Sequence, residues 1–235
     1  MRKSGVLLHI ASLPNDYGIG TMGREAYKFV DWLRSAGQSL WQILPLSQTS
    51  YGDSPYQSFS IFAGNPYFIS LETLEAEGLL QHDEYADIRW CEDPRYIDYA
   101  TMYENFYKVM KLAYGRFSKS KNGNVSEEYG KFLSENPWLE DYTLFMALKD
   151  AHKGKSWSEW EKPLRMRDAK AVVSAKKKYA REMDFYAFLQ FKFFQQWFKL
   201  KEYANSNGIE IIGDIPIYCA LDSADVWCEP RLFQL

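Results

Sequence analysis

Eight consecutive residues, Tyr51-Gly52-Asp53-Ser54-Pro55-Tyr56-Gln57-Ser58, bring together two phenol rings, a carboxylate, hydroxyls and an amide. Two further segments hold similar chemistry: the stretch after His9, with Ser12 and Asn15-Asp16-Tyr17, and Asp214 followed by Ile215-Pro216-Ile217-Tyr218. Flat aromatic faces stack on the C–H faces of pyranose rings, while carboxylates and amides meet sugar hydroxyls. The mixture suits a carbohydrate better than a phosphate or a nucleotide, because the sequence has no glycine-rich phosphate loop. Each residue also has a plainer use. Asp53 can close an Asx turn, Tyr56 can pack on Pro55, and Asp214 can cap a turn. His9 reads as a structural histidine with its hydrogen bonds satisfied, not as a catalyst.

These segments have value only if the chain holds them near one another, and the hydrophobic pattern suggests how. Gly5 to Ile10 is a short apolar run of the kind buried on both faces of a parallel sheet. Arg24 to Ala36 sets Phe29, Val30, Leu33 and Ala36 at helical spacing and ends at Gly37, and Leu40 to Pro45 follows as a second strand. Strand, helix, strand with short joints is the βαβ unit of a parallel sheet, in which ligands gather on loops at the carboxyl ends of strands. Residues 1–67 are therefore expected to form the first strands and helix with the substrate loop. Residues 68–182 read as an inserted, mainly helical subdomain, with helices over Tyr99 to Phe117 and Trp138 to His152. Residues 183–235 are expected to give a long helix, a third strand and a following loop. That helix, Asp184 to Asn205, is apolar nearly all round and must be covered on several sides. The third strand runs from Ile209 towards Tyr218, and Leu221 to Leu235 carries no evident helix or strand. Asp222 and Asp225 are expected to order the loop after that strand, Trp41 to sit in the core, and the basic stretch Arg165 to Arg181 to be a solvated helix face.

Composition narrows the function classes. With 46% hydrophobic and 25% charged residues and no apolar run of about 18 residues, the chain reads as an ordinary globular protein and not a membrane span. A net charge of −3 offers no electrostatic case for nucleic acid or an anionic membrane as partner. Cys91, Cys219 and Cys228 are odd in number and lack metal-ligand spacing, so neither a disulfide framework nor a zinc site is expected. The start lacks a small-residue cleavage site, and the expected location is cytoplasmic.

Several strings, taken in order, resemble the opening motifs of the amylomaltase or disproportionating-enzyme family of 4-α-glucanotransferases. They are Ser4-Gly5-Val6-Leu7-Leu8-His9, Ser12-Leu13-Pro14, Tyr17-Gly18-Ile19-Gly20, Leu40 to Leu46, Tyr51 to Ser60, Ala63-Gly64-Asn65-Pro66-Tyr67 and Gly213-Asp214-Ile215-Pro216-Ile217-Tyr218. Asp222-Ser223-Ala224-Asp225-Val226-Trp227 continues the likeness, as do Asn136-Pro137-Trp138 and the region Trp157 to Asp168.

The resemblance implies an α/β fold, the N-terminal part of a (β/α)8 TIM barrel with a helical insertion, and a retaining transfer of α-1,4-glucan segments to glucose or maltodextrin acceptors. In such a reaction one carboxylate attacks the sugar and a second protonates the leaving oxygen, then activates the acceptor. No cofactor and no metal is implied; maltooligosaccharides and α-1,4-glucans are the expected partners. By the same resemblance Tyr56 stacks on the sugar beside the scissile bond, Asp214 hydrogen-bonds sugar hydroxyls, and Asp53 and Ser54 are candidates for hydroxyl contacts. Tyr51 resembles a tyrosine of a second glucan site. The family's nucleophile, acid/base glutamate and further essential aspartate fall at positions expected beyond Leu235. The barrel is thus expected to be incomplete, the chain a fragment, and its own activity absent. The competing expectation is a non-catalytic remnant that keeps glucan binding or an interaction role.

Overall fold

The computed structural model describes residues 2–49, 54–120 and 124–234. In chain order the elements are β1 (Gly5–Leu7), α1 (Arg24–Ser35), β2 (Leu40–Gln42), α2 (Leu71–Ala76), α3 (Tyr99–Lys119), α4 (Asn124–Glu135), α5 (Trp138–Ala151), α6 (Lys162–Arg165), α7 (Ala169–Lys178), α8 (Ala180–Ser206), β3 (Glu210–Ile212) and α9 (Ala224–Cys228). Short 3-10 turns fill several of the joints. The chain divides into two compact units. The first comprises Met1–Leu46, Asn65–Lys121 and Lys192–Asp214, and the second Ser47–Gly64, Asn122–Phe191 and Ile215–Leu235.

In the first unit the three strands form one parallel sheet in the order β1-β2-β3. Val6, Trp41 and Ile211 lie side by side in register, as do Leu7, Gln42 and Ile212. Helix α1 makes the crossover. Ala26, Val30 and Leu33 form its buried stripe, and Phe29 packs edge-on against Trp41 at 5.1 Å. Gly37, at φ +69°, ends the helix in a conformation that glycine adopts without steric cost. Trp41 is fully buried, and its indole N–H donates to the Leu8 carbonyl at 2.8 Å, which locks the middle strand to the first. Gly5 is needed where β1 meets β2, since a Cβ there would come within 2.3 Å of the Leu40 carbonyl oxygen.

The sheet departs from expectation in depth and length. β1 is not buried on both faces: the face bearing Val6, Trp41 and Ile211 is covered to varying degrees, whereas on the other Leu7 is 56% and Ile212 41% exposed. With one layer of helix packed on it, a parallel sheet can bury only one set of alternating side chains. β3 is also shorter than the apolar run suggested. Pro216 lacks the N–H that a ladder needs, and Ile215, Ile217 and Tyr218 stand exposed after Ile212.

Helix α3 starts at Asp98, whose carboxylate accepts from the Thr101 N–H at 3.0 Å and its hydroxyl at 2.7 Å. It buries Met102, Phe106, Val109, Met110, Ala113 and Phe117 at helical spacing. The later half of α8 belongs to this unit, burying Leu200 and Ala204 and leaving Phe198 exposed. The stretch from Phe185 to Phe193 is buried at every position, so the expectation of cover on several sides holds there. Helix α5 is its counterpart, buried from Tyr142 to Lys149.

The second unit also corrects the reading of Leu221 to Leu235 as lacking a helix. Ser223 caps α9 by accepting from the Val226 N–H at 3.2 Å, and Trp227 is buried against Trp160 and Phe145. The Trp227 indole N–H donates to the Leu164 carbonyl, and the Arg167 guanidinium lies 4.4 Å above its ring. Five residues make a poor helix in isolation, and this one is held by its cap and its tryptophan. The basic stretch is only partly solvated, since Lys176 pairs with Glu140 at 2.7 Å. Among the described residues no helix is long and apolar enough to cross a membrane.

Candidate functional site

Residues 47–49 and 54–64 are the described arms of a loop and touch through isolated antiparallel bridges, Ser47 with Gly64 and Thr49 with Ser58. Near its tip, Ser54 begins a turn: its hydroxyl accepts from the Tyr56 N–H at 3.3 Å and its carbonyl from the Gln57 N–H at 3.2 Å. Pro55, with its fixed φ, suits the second position of such a turn. Tyr56 is half-buried there. Ser54 and Tyr56 are thus brought together in one turn. Tyr51 and Asp53 lie outside the described residues. Asp214 stands exposed two residues past β3, in the first unit, whereas the loop belongs to the second.

The loop is gripped by residues of three helices within the second unit, through both its backbone and its side chains. The Tyr142 hydroxyl donates to the side-chain oxygen of Gln48 at 2.8 Å on one arm. On the other arm the Ala224 N–H donates to the Phe59 carbonyl at 2.8 Å. Asp225 accepts from the Ile61 N–H at 2.9 Å through Oδ2 and from the Ser60 hydroxyl at 3.4 Å through Oδ1. At the base, the amide of fully buried Gln190 accepts from the Gly64 N–H at 2.8 Å and donates to the Gly64 carbonyl at 2.9 Å. A second glutamine on the same helix repeats the device in the first unit, where Gln196 accepts from the Ser70 N–H at 2.8 Å and donates to its carbonyl at 3.4 Å. Buried backbone groups away from regular structure need partners, and these side chains supply them.

Charge is placed sparingly here. Burial pushes the Asp225 carboxyl above the usual carboxylate range, and the Ile61 N–H and Ser60 hydroxyl pull against that by bonding its ionised form. Asp222 accepts from Lys149 and from the Trp157 N–H at 3.1 Å, and the Lys149 ammonium lies 5.5 Å from the centre of the Phe59 ring. The two aspartates thus do more than order the segment after β3: Asp222 ties it to the residues after α5, and Asp225 ties it to the loop.

His9 is corrected. It is not a satisfied histidine, because Nδ1 is buried without a hydrogen-bond partner among the described residues. Its ring sits edge-on to Phe68 at 5.2 Å, and burial lowers its pKa from 6.5 to about 4. Among the described residues no group of three His, Cys, Asp or Glu side chains could hold a metal ion.

Gln190, Tyr142 and Lys149 escaped the sequence reading because each lies inside an apolar helix. A signal was present: a glutamine, a lysine and a tyrosine hydroxyl embedded among Phe and Leu must find polar partners once buried.

A family model described as 4-alpha-glucanotransferase matches residues 8–235. The chain is 48% identical over 229 residues to the 4-alpha-glucanotransferase of Clostridium butyricum, an alignment covering 97% of this chain and 46% of that protein. It is 46% identical to that of Thermus thermophilus over 239 residues, covering 100% of this chain and 46% of that protein. Among solved structures it is similar to the amylomaltase from Streptococcus agalactiae in complex with acarbose, with TM-score 0.96 and 45% identity over 100% of this chain and 47% of that one. The amylomaltase from Corynebacterium glutamicum matches at TM-score 0.71 and 17% identity over 97% of this chain and 32% of that one, a likeness of fold. The chain spans about half the length of the curated relatives it matches.

Proposed function

From the premise that this chain belongs to the 4-alpha-glucanotransferase family, matched over residues 8–235, we propose that it forms the glucan-binding portion of a transferase. That enzyme moves α-1,4-glucan segments to glucose or maltodextrin acceptors by a retaining, two-step displacement. One observation carries the reading: a turn bearing Tyr56 on a loop that is fixed through its backbone at Phe59, Ile61 and Gly64. A ring that stacks on a sugar loses little further freedom on binding if its backbone is already held. The likeness to an amylomaltase whose structure contains acarbose supports the same ligand class.

In this reading Tyr56 stacks on the sugar next to the bond that is cut. Asp214, and with it Asp53 and Ser54, meets sugar hydroxyls, and Tyr51 belongs to a further glucan contact. The nucleophile and the acid/base carboxylate lie outside these 235 residues. The parallel strands β1, β2 and β3 are successive strands of a (β/α)8 barrel, and the face that carries exposed Leu7 and Ile212 finds its cover in the strands and side chains that close it. The location is cytoplasmic, a reading that the three free thiols support.

The test is the conversion of maltotriose into glucose and longer maltodextrins by the transferase carrying this sequence. Tyr56→Ala and Asp214→Ala are expected to lower kcat/KM by at least about tenfold each, as loss of a sugar-stacking ring or of a charged hydrogen bond does. Wild-type transfer by both variants would remove the assigned sugar contacts. Release of glucose from maltotriose by the 235-residue chain alone would show that the carboxylates are placed wrongly.

A further inference from the structure

We propose that Asp225 is a positioning residue for glucan transfer, acting through the loop that carries Tyr56; the inference rests on the glucan-transfer reading above. Both carboxylate oxygens of Asp225 are committed to consecutive residues of one arm of that loop, Oδ1 to the Ser60 hydroxyl and Oδ2 to the Ile61 N–H. The Ser60 oxygen in turn accepts from the Phe62 N–H at 3.2 Å, and the Ser58 hydroxyl donates to the Ser60 carbonyl at 3.0 Å. A continuous run of hydrogen bonds therefore links the carboxylate to residues 58–62, and Ser58 is the residue bridged to Thr49, two positions from Tyr56.

Apolar burial does not hold the centre of this arm. Ile61 is 43% and Phe62 54% exposed, so the polar grip of Asp225, with the Ala224 N–H beside it, fixes the backbone there. Asp225 is not needed to start its own helix, because Ser223 caps α9. A half-buried acid whose two oxygens both reach a neighbouring loop is well suited to set where that loop lies. Small displacements of a group that orients substrate cost disproportionately in rate.

The experiment is steady-state transfer from maltotriose by the transferase carrying this sequence, comparing wild type, Asp225→Asn, Asp225→Ala, Tyr56→Ala and the Asp225→Ala/Tyr56→Ala double variant, with a thermal melt of each. Asp225→Ala is expected to lower kcat/KM about tenfold, a fraction of what an ångström of misplacement brings, mostly through KM. Asp225→Asn, which keeps one acceptor for the Ile61 N–H, falls between it and wild type. The double variant is expected to be no worse than Tyr56→Ala, the signature of two residues acting through one path. Losses that multiply in the double variant, or an unchanged kcat/KM in both Asp225 variants, would overturn the inference. If Asp225→Ala fails to fold, the Asp225→Asn/Tyr56→Ala double variant, set against its two single variants, decides the same question. A wild-type enzyme inert on maltotriose would instead overturn the transfer reading beneath it.

Discussion

The ammonium of Lys149 meets the carboxylate of Asp222 at 2.5 Å and spends its remaining donors on the backbone carbonyls of Gly154, at 2.6 Å, and Lys155, at 3.1 Å. The lysine side chain is only 8% exposed, so its charge is held almost wholly by these three acceptors. Lys149→Met removes the donor that these three share, while Asp222 keeps the Trp157 N–H and the Lys155 carbonyl keeps the Trp160 indole N–H, and should lower unfolding stability by about 2 kcal/mol. Urea denaturation measures this, and a midpoint equal to that of wild type would refute it.

Gln190→Leu fills the same space but strands the N–H and carbonyl of Gly64. Leaving buried polar groups unmet costs about 1–3 kcal/mol each, so a loss of about 3 kcal/mol is expected, accompanied by faster proteolysis within residues 47–64. A variant that melts with wild type and is cut at the same rate would show that the clamp contributes nothing.

His9 makes stability depend on pH in a defined direction. Its folded pKa of about 4 lies below the 6.5 of the free side chain, so the unfolded chain takes up the proton first. The stability contributed by neutral His9 is complete above about pH 6.5 and drains as pH falls towards 4, by at most about 1.4 kcal/mol per pH unit. His9→Gln should flatten the difference in unfolding free energy between pH 7 and pH 4.5. An unchanged difference would mean that the imidazole is solvated.

Burial and the nearby Asp141 carboxylate push the Cys228 thiol up to about 12, although the Arg167 guanidinium pulls it down and donates to the sulfur at 3.0 Å. With so little thiolate at pH 8, Cys228 should resist iodoacetamide in the folded protein and react once denatured. Peptide mapping after brief labelling tests this; modification of Cys228 in the native state would contradict it.

The sequence foretold the parts that local pattern controls. The strand-helix-strand start was legible because Phe29, Val30, Leu33 and Ala36 fall at helical spacing and Gly37 stops the helix. Helices α3 and α5 were also legible, over Tyr99 to Phe117 and Trp138 to His152. What stayed hidden depends on partners distant along the chain. Helix α9 needs Phe145 and Trp160 to shelter Trp227, and nothing near residue 227 announces them. Gln190 finds its partner 126 positions away. Leu7 stands exposed among these residues because the cover of a sheet face comes from segments distant along the chain, which a run of six apolar residues does not name. For the candidate site, the turn of Ser54 and Tyr56 was foreseeable from Pro55, while the grip of Asp225 on Ile61 was not.

Gln190 and Gln196 stand six residues apart on one helix, and the residues they clasp, Gly64 and Ser70, are also six apart. Each residue added to a helix turns the positions beyond it by about 100° and advances them by about 1.5 Å. A single insertion or deletion between the two glutamines would therefore turn one amide by about 100° relative to the other along the helix. In that span the number of residues is a stricter specification than their identity, and engineered changes of length belong elsewhere in the chain.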